Sequence, residues 1–232
     1  MLKNLILSAA AAGVAAGLFT AVLQHVTTTP IIIKAERYEG GGPAHDHSAA
    51  AGTATTATHE AEEESGPADG VARTLYTSLA TTVIGVGFSL ALLGAMTLSN
   101  VPISARSGLA FGVAGFAAVS LAPALGLPPE IPGSGAAELG ARQAWWFFAC
   151  MATAIGLAGL LLAGRVVLQV GGVVLIALPH LVGAPQAPAF TSTAPAELAG
   201  HFVATSLAVT AIFWAMLGYA SGAFHERFSR SG

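Results

Sequence analysis

The chain predicts an all-α integral membrane protein with about six transmembrane helices, five being the alternative count, and one long, disordered outer loop. Three observations carry this. Of 232 residues, 54% are hydrophobic and only 9% are charged, whereas a soluble domain carries about a quarter charged residues. The apolar residues fall into runs of roughly 20, the length of helix that crosses about 30 Å of hydrocarbon. Eight of the twelve acids (Glu36, Glu39, Asp46, Glu60, Glu62, Glu63, Glu64 and Asp69) lie between the first and second runs. The net charge of −3 therefore describes that loop and offers nothing to nucleic acid. Residues 1–232 read as one transmembrane domain, with 40–70 as a flexible acidic insert.

The first run, 5–26, follows Lys3 and has a longer core than a secretory signal. It continues to Gln24 and His25 without a cleavage break, so an uncleaved helix is expected. Segment 40–70 is rich in Gly, Ala, Thr and Glu and cannot bury enough apolar surface to offset its ordering entropy. Runs 75–98 and 107–125 follow, and Pro128, Pro129 and Pro132 break the chain after them. Run 144–163 opens on Trp145 and Trp146, and run 202–224 closes on Tyr219 and Phe224, as interfacial aromatics do. Run 166–181 is the shortest and ends at Pro179; its rearrangement with the fourth run would give five spans. Gly13 with Gly17, Gly108 with Gly112, and Gly85 with Ser89 have the spacing at which membrane helices approach closely.

Basic residues orient the spans. One face receives Lys3, Arg106, Arg165, Arg227 and Arg230; the other receives Lys34, Arg37, Arg73 and Arg142. The tight turns holding Arg106 and Arg165, and the tail, favour cytoplasmic N- and C-termini. The acidic loop then lies outside.

In that frame six of the seven histidines share the outer face: His25, His45, His47, His59, His180 and His201. Imidazole is the commonest protein ligand for mid-to-late first-row metals. His45, Asp46 and His47, and His59 with the acids after it, sit on the flexible loop and suit the concentration of a divalent cation. His25, His180 and His201 sit at helix ends. Glu197 precedes His201 by four residues, so a helix starting at Pro195 projects both from one face. Gln24 and Gln186 offer further oxygens. Each feature has a structural reading as well: an acidic linker is often only solvated, and Glu197 suits a first helical turn without a ligand.

Other chemistry is excluded or absent. The only lysines are Lys3 and Lys34, so no phosphate-binding G-x-x-x-x-G-K-[ST] loop exists. No acid or base lies near the middle of a span, and no nucleophile–base pair stands out, so the chain reads as a permease-type subunit and not an enzyme. The lone Cys150 allows no internal disulfide and reads as a small packed hydrophobe.

The Met1-Leu2-Lys3-Asn4-Leu5 opening, His25, the His/Glu-rich loop, the run Pro179-His180-Leu181-Val182-Gly183-Ala184-Pro185, and Pro195-Ala196-Glu197-Leu198 before His201-Phe202 resemble the CbtA family of cobalt transporter subunits. The resemblance implies a multi-pass component of bacterial cobalt uptake in the inner membrane, associated with cobalamin synthesis. It further implies a small single-span, histidine-rich partner of the CbtB kind. It implies a transported divalent cation, Co²⁺ favoured, with no tightly bound cofactor, and points to His25, His180, His201 and Glu197. Nickel and zinc stay open, because nitrogen and oxygen sites do not by themselves prefer cobalt. A haem-binding electron-transfer subunit and a purely structural subunit are the rival classes; the first needs facing histidines inside the bundle.

Overall fold

The computed structural model describes residues 2–39, 70–187 and 192–230, so the loop histidines His45, His47 and His59 lie outside the described residues. Among those described, the chain is helical apart from turns and one isolated bridge, Ser134 to Ser192. The helices are α1 (Leu2–Val26), α2 (Thr28–Glu39), α3 (Val71–Leu98), α4 (Ala105–Phe116), a short α5 (Ala122–Ala124), α6 (Leu139–Leu162), α7 (Val166–Val182) and α8 (Ala196–Arg230). A π-helical turn, Ala117–Leu121, joins α4 to α5. Five of these stretches are long and apolar enough to cross a membrane: α1, α3, Ala105–Ala124, α6 and α8. Helix α7 has 17 residues, about 26 Å at 1.5 Å per residue, a little short of the hydrocarbon. The chain is a multi-pass membrane protein.

Each predicted run is helical, the third with a π-helical turn inside it; five of the six start earlier than predicted, α7 starts where predicted, and only α8 extends well past its predicted end, to Arg230. The fourth and fifth runs stay separate, because Gly164 turns the chain with φ of 60°, a conformation that suits a residue without Cβ. Successive long helices run antiparallel, as their glycine contacts require. A methyl on Gly13 would collide with the Val86 backbone, and one on Gly17 with that of Thr82, so α1 and α3 run in opposite directions with their backbones nearly touching. Gly108 and Gly112 of α4 meet Gly218 of α8 in the same way, and Gly156 of α6 meets Gly172 of α7. In lipid, where apolar burial does not drive helices together, such close approach supplies the dispersion contacts that do.

Helix α8 is central, packing on α1 and α4, while α3 packs on α1. The core of this four-helix unit is Leu92, Phe213, Trp214 and Leu217. Trp214 donates its indole N–H to Ser120 Oγ at 3.2 Å, and the buried Ser89 and Ser221 hydroxyls bond at 2.7 Å. The α6–α7 hairpin leans on the four-helix unit through the π-turn and α5.

Proline explains that turn. Pro123 has no N–H for the carbonyl of Val119, and its ring crowds it, so the helix widens. The Ala122 N–H reaches back to Ala117 O, and the Cys150 thiol of α6 approaches Val119 O at 4.0 Å. Cys150 is buried, as a small packed hydrophobe is expected to be, with its thiol near the carbonyl that the proline leaves over.

Helix α2 was not anticipated. Ile31 and Ala35, one turn apart, are buried against Ile131, Ala194 and Leu198, so α2 lies across the end of the bundle where α1 finishes and α8 begins.

Candidate functional site

The site is best built from the last turn of α1. Thr27 and Thr28 donate their hydroxyls to the carbonyls of Leu23 and Gln24, and Pro30 then opens α2, where a missing N–H costs nothing. This bend leaves a cavity of about 230 Å³ between α1, α2, α3 and α8, with Gln24, His25, Thr28, Arg73, Thr74, Thr77, Ser206 and Thr210 in its wall. Gln24 Oε1 is buried there with no hydrogen-bond partner. One turn deeper, Thr20 Oγ1 is also buried and unpartnered. A buried polar atom without a partner is costly in a protein interior. This cavity thus offers an imidazole, an uncommitted amide oxygen and a set of hydroxyls.

Arg73 crosses from α3 to α2, its Nη1 lying 3.0 Å from Glu36 Oε1. The pair neutralises the one guanidinium in the cavity wall. It also ties α2 to the start of α3.

The other helix-end residues fall elsewhere on the same end of the bundle. Helix α8 begins at Ala196, directly after Pro195. Glu197 and His201, one turn apart, are both exposed. Phe202, the residue after His201, lines the His25 cavity. His180 is separate. It lies in an apolar cavity of about 380 Å³ between α5, α6 and α7, together with Thr153, Ile176 and Leu121. Its ring meets the edge of Trp145 with centroids 6.0 Å apart. The carbonyl of the neighbouring Pro179 is already taken, by the Trp145 indole at 3.3 Å and the Gly183 N–H at 3.0 Å. Gln186 is turned onto its own loop, donating to Ala184 O.

The structure therefore brings His25 and the start of α8 to one rim and leaves His180 apart in the hairpin. Among the described residues no three of His, Cys, Asp and Glu stand close enough to hold a metal together. In the sequence Arg73 reads only as a charge that helps orient the spans, and the hydroxyls of α3 are assigned no role. The signal was present in Thr74, Thr77, Ser78, Thr81 and Thr82, a density of hydroxyls unusual in an apolar run.

The family model for "Probable cobalt transporter subunit (CbtA)" matches residues 2–226. No curated protein matches the chain, and no solved structure does. With nearly its whole length matched, and with multiple apolar helices in the fold, the chain belongs to the CbtA family of cobalt transporter subunits.

Proposed function

We propose that this chain takes up Co²⁺ at the outer face of a bacterial inner membrane, for cobalamin synthesis, with both termini cytoplasmic and a small histidine-rich single-span subunit as partner. The observation that carries the reading is the cavity at the end of α1, where His25 stands beside an unpartnered Gln24 oxygen. His201 and Glu197 at the start of α8 form a second pair of donors on that rim. His45, His47 and His59, in the segment between α2 and α3, would concentrate the ion. His180, in its apolar cavity, is the weakest ligand candidate of the three helix-end histidines. Nitrogen and oxygen donors of this kind hold Ni²⁺ and Cu²⁺ at least as tightly as Co²⁺, so any preference for cobalt rests on geometry and on the partner.

The test is radioactive cobalt uptake by cells expressing the chain with its partner. His25→Ala and His201→Ala are expected to abolish uptake, His180→Ala to reduce it, and deletion of 40–70 to raise the half-saturating cobalt concentration while preserving the maximal rate. Uptake by His25→Ala at the parental rate would remove the cavity from the route.

A further inference from the structure

A second cavity, about 690 Å³, opens at the end of the bundle where α6 begins, and Thr210 of α8 lies in the wall of both this cavity and the His25 cavity. Its wall combines apolar side chains, Leu127, Phe147 and Leu207, with Trp146, Arg142 and Glu130. Arg142 Nη2 lies 2.7 Å from Glu130 Oε2, and both side chains are about two-thirds buried (28% and 31% exposed). Arg142 Nε is nevertheless buried without a hydrogen-bond partner. The guanidinium is thus only partly used, and its most enclosed N–H has nothing to bond to.

We infer that this cavity binds a zwitterionic phospholipid whose head group carries a primary ammonium. The position is interfacial: Arg142 lies in the first turn of α6, next to two tryptophans, at the depth where phosphates and aromatic belts meet. The side chains present one cation and one anion in contact, which matches a head group bearing a phosphodiester and an ammonium. The phosphodiester accepts from Arg142, including its vacant Nε–H, in the charge-assisted geometry that guanidinium favours. The ammonium donates to Glu130. An acyl chain lies along Leu127, Phe147 and Leu207. A purely anionic head group meets Glu130 as a repulsive neighbour, and a quaternary ammonium has no N–H to donate.

The experiment is native mass spectrometry of the full chain, delipidated in detergent, titrated with phosphatidylethanolamine, phosphatidylcholine or phosphatidylglycerol of identical acyl chains. Phosphatidylethanolamine is expected to bind once, about tenfold tighter than phosphatidylcholine, the factor set by one charge-assisted hydrogen bond. Glu130→Gln should reverse the order so that phosphatidylglycerol binds best. Arg142→Gln should lose the site for all three. Glycerophosphoethanolamine, the same head group without tails, should not compete at equal concentration. Equal binding of the three lipids by the parent, or an unchanged order in Glu130→Gln, overturns the assignment. Because the expected result is a reversal and not only a loss, a misfolded variant cannot imitate it.

Discussion

At the residue scale, the decisive positions are glycines whose missing side chain sets the distance between two helices. Gly13 and Gly87 are both helical glycines in apolar segments, but their surroundings differ. A Cβ on Gly13 would collide with the backbone of α3, which cannot step aside as a flexible side chain would, whereas a Cβ on Gly87 meets nothing within 4 Å. Gly13→Ala is expected to destabilise by about 3 kcal/mol or more, at the upper end of overpacking costs. Gly87→Ala should stay within about 1 kcal/mol of the parent, since only helix propensity changes. Unfolding in mixed micelles measures both, and equal stabilities would mean that α1 and α3 do not pack through this seam. The spacing Gly13/Gly17 is visible in the sequence, but its partner is not. Gly87 has the same composition around it and packs against nothing, so the distinction belongs to tertiary structure. The histidines teach the same lesson: their residue type suggests metal, but only packing reveals that His25 shares a cavity with a free amide oxygen while His180 lies in an apolar cavity against Trp145.

At the element scale, the ends of helices carry most of what hydropathy alone does not give. Apolar runs identify the cores of α1, α3, α4, α6, α7 and α8, because lipid demands an apolar surface along the whole crossing. Helix α2 escapes that reading. It is an amphipathic helix lying on the bundle end, with Ile31 and Ala35 buried and Lys34 and Arg37 in its sequence, and its pattern becomes meaningful only once Ile131 and Leu198 are beside it. Helix α6 starts several residues earlier than its tryptophans suggest, because Glu138 caps it. The carboxylate accepts from the Gly140 N–H at 2.7 Å and the Ala141 N–H at 2.6 Å. These two backbone bonds hold its pKa below the ordinary 4.5. A lowered folded-state pKa contributes stability that is fully present above the unfolded value and is lost as pH falls through the lowered one. The first turn of α6 should therefore fray as the pH falls below 4.5. Glu138→Gln, which cannot ionise, should flatten that dependence. Hydrogen exchange of the α6 N-terminus, corrected for the intrinsic pH dependence of exchange, reads this; an identical pH profile in the variant would show that the cap does not hold the turn.

At the scale of the whole molecule, the fold is a four-helix unit of α1, α3, α4 and α8 with the α6–α7 hairpin attached through a proline-induced π-turn. The parity of the six antiparallel helices decides the functional geometry. It puts the ends of α1 and α7 and the start of α8 at one end of the bundle, and Lys3, Arg106, Arg165, Arg227 and Arg230 toward the other. The basic residues of the tight turns favour that second end as the cytoplasmic one. The lone Cys150 is buried, so it leaves a quiet background for labelling. Ala136, before α6, and Ser229, near the end of α8, are both exposed and lie at opposite ends. In intact cells a membrane-impermeant maleimide should label Ala136→Cys and leave Ser229→Cys unlabelled until the membrane is permeabilised. The reverse pattern would put the His25 cavity on the cytoplasmic side, and the same residues would then have to release the ion instead of capturing it. Labelling of both sites in intact cells would break the antiparallel count itself, and with it the grouping of His25 and His201 on one rim.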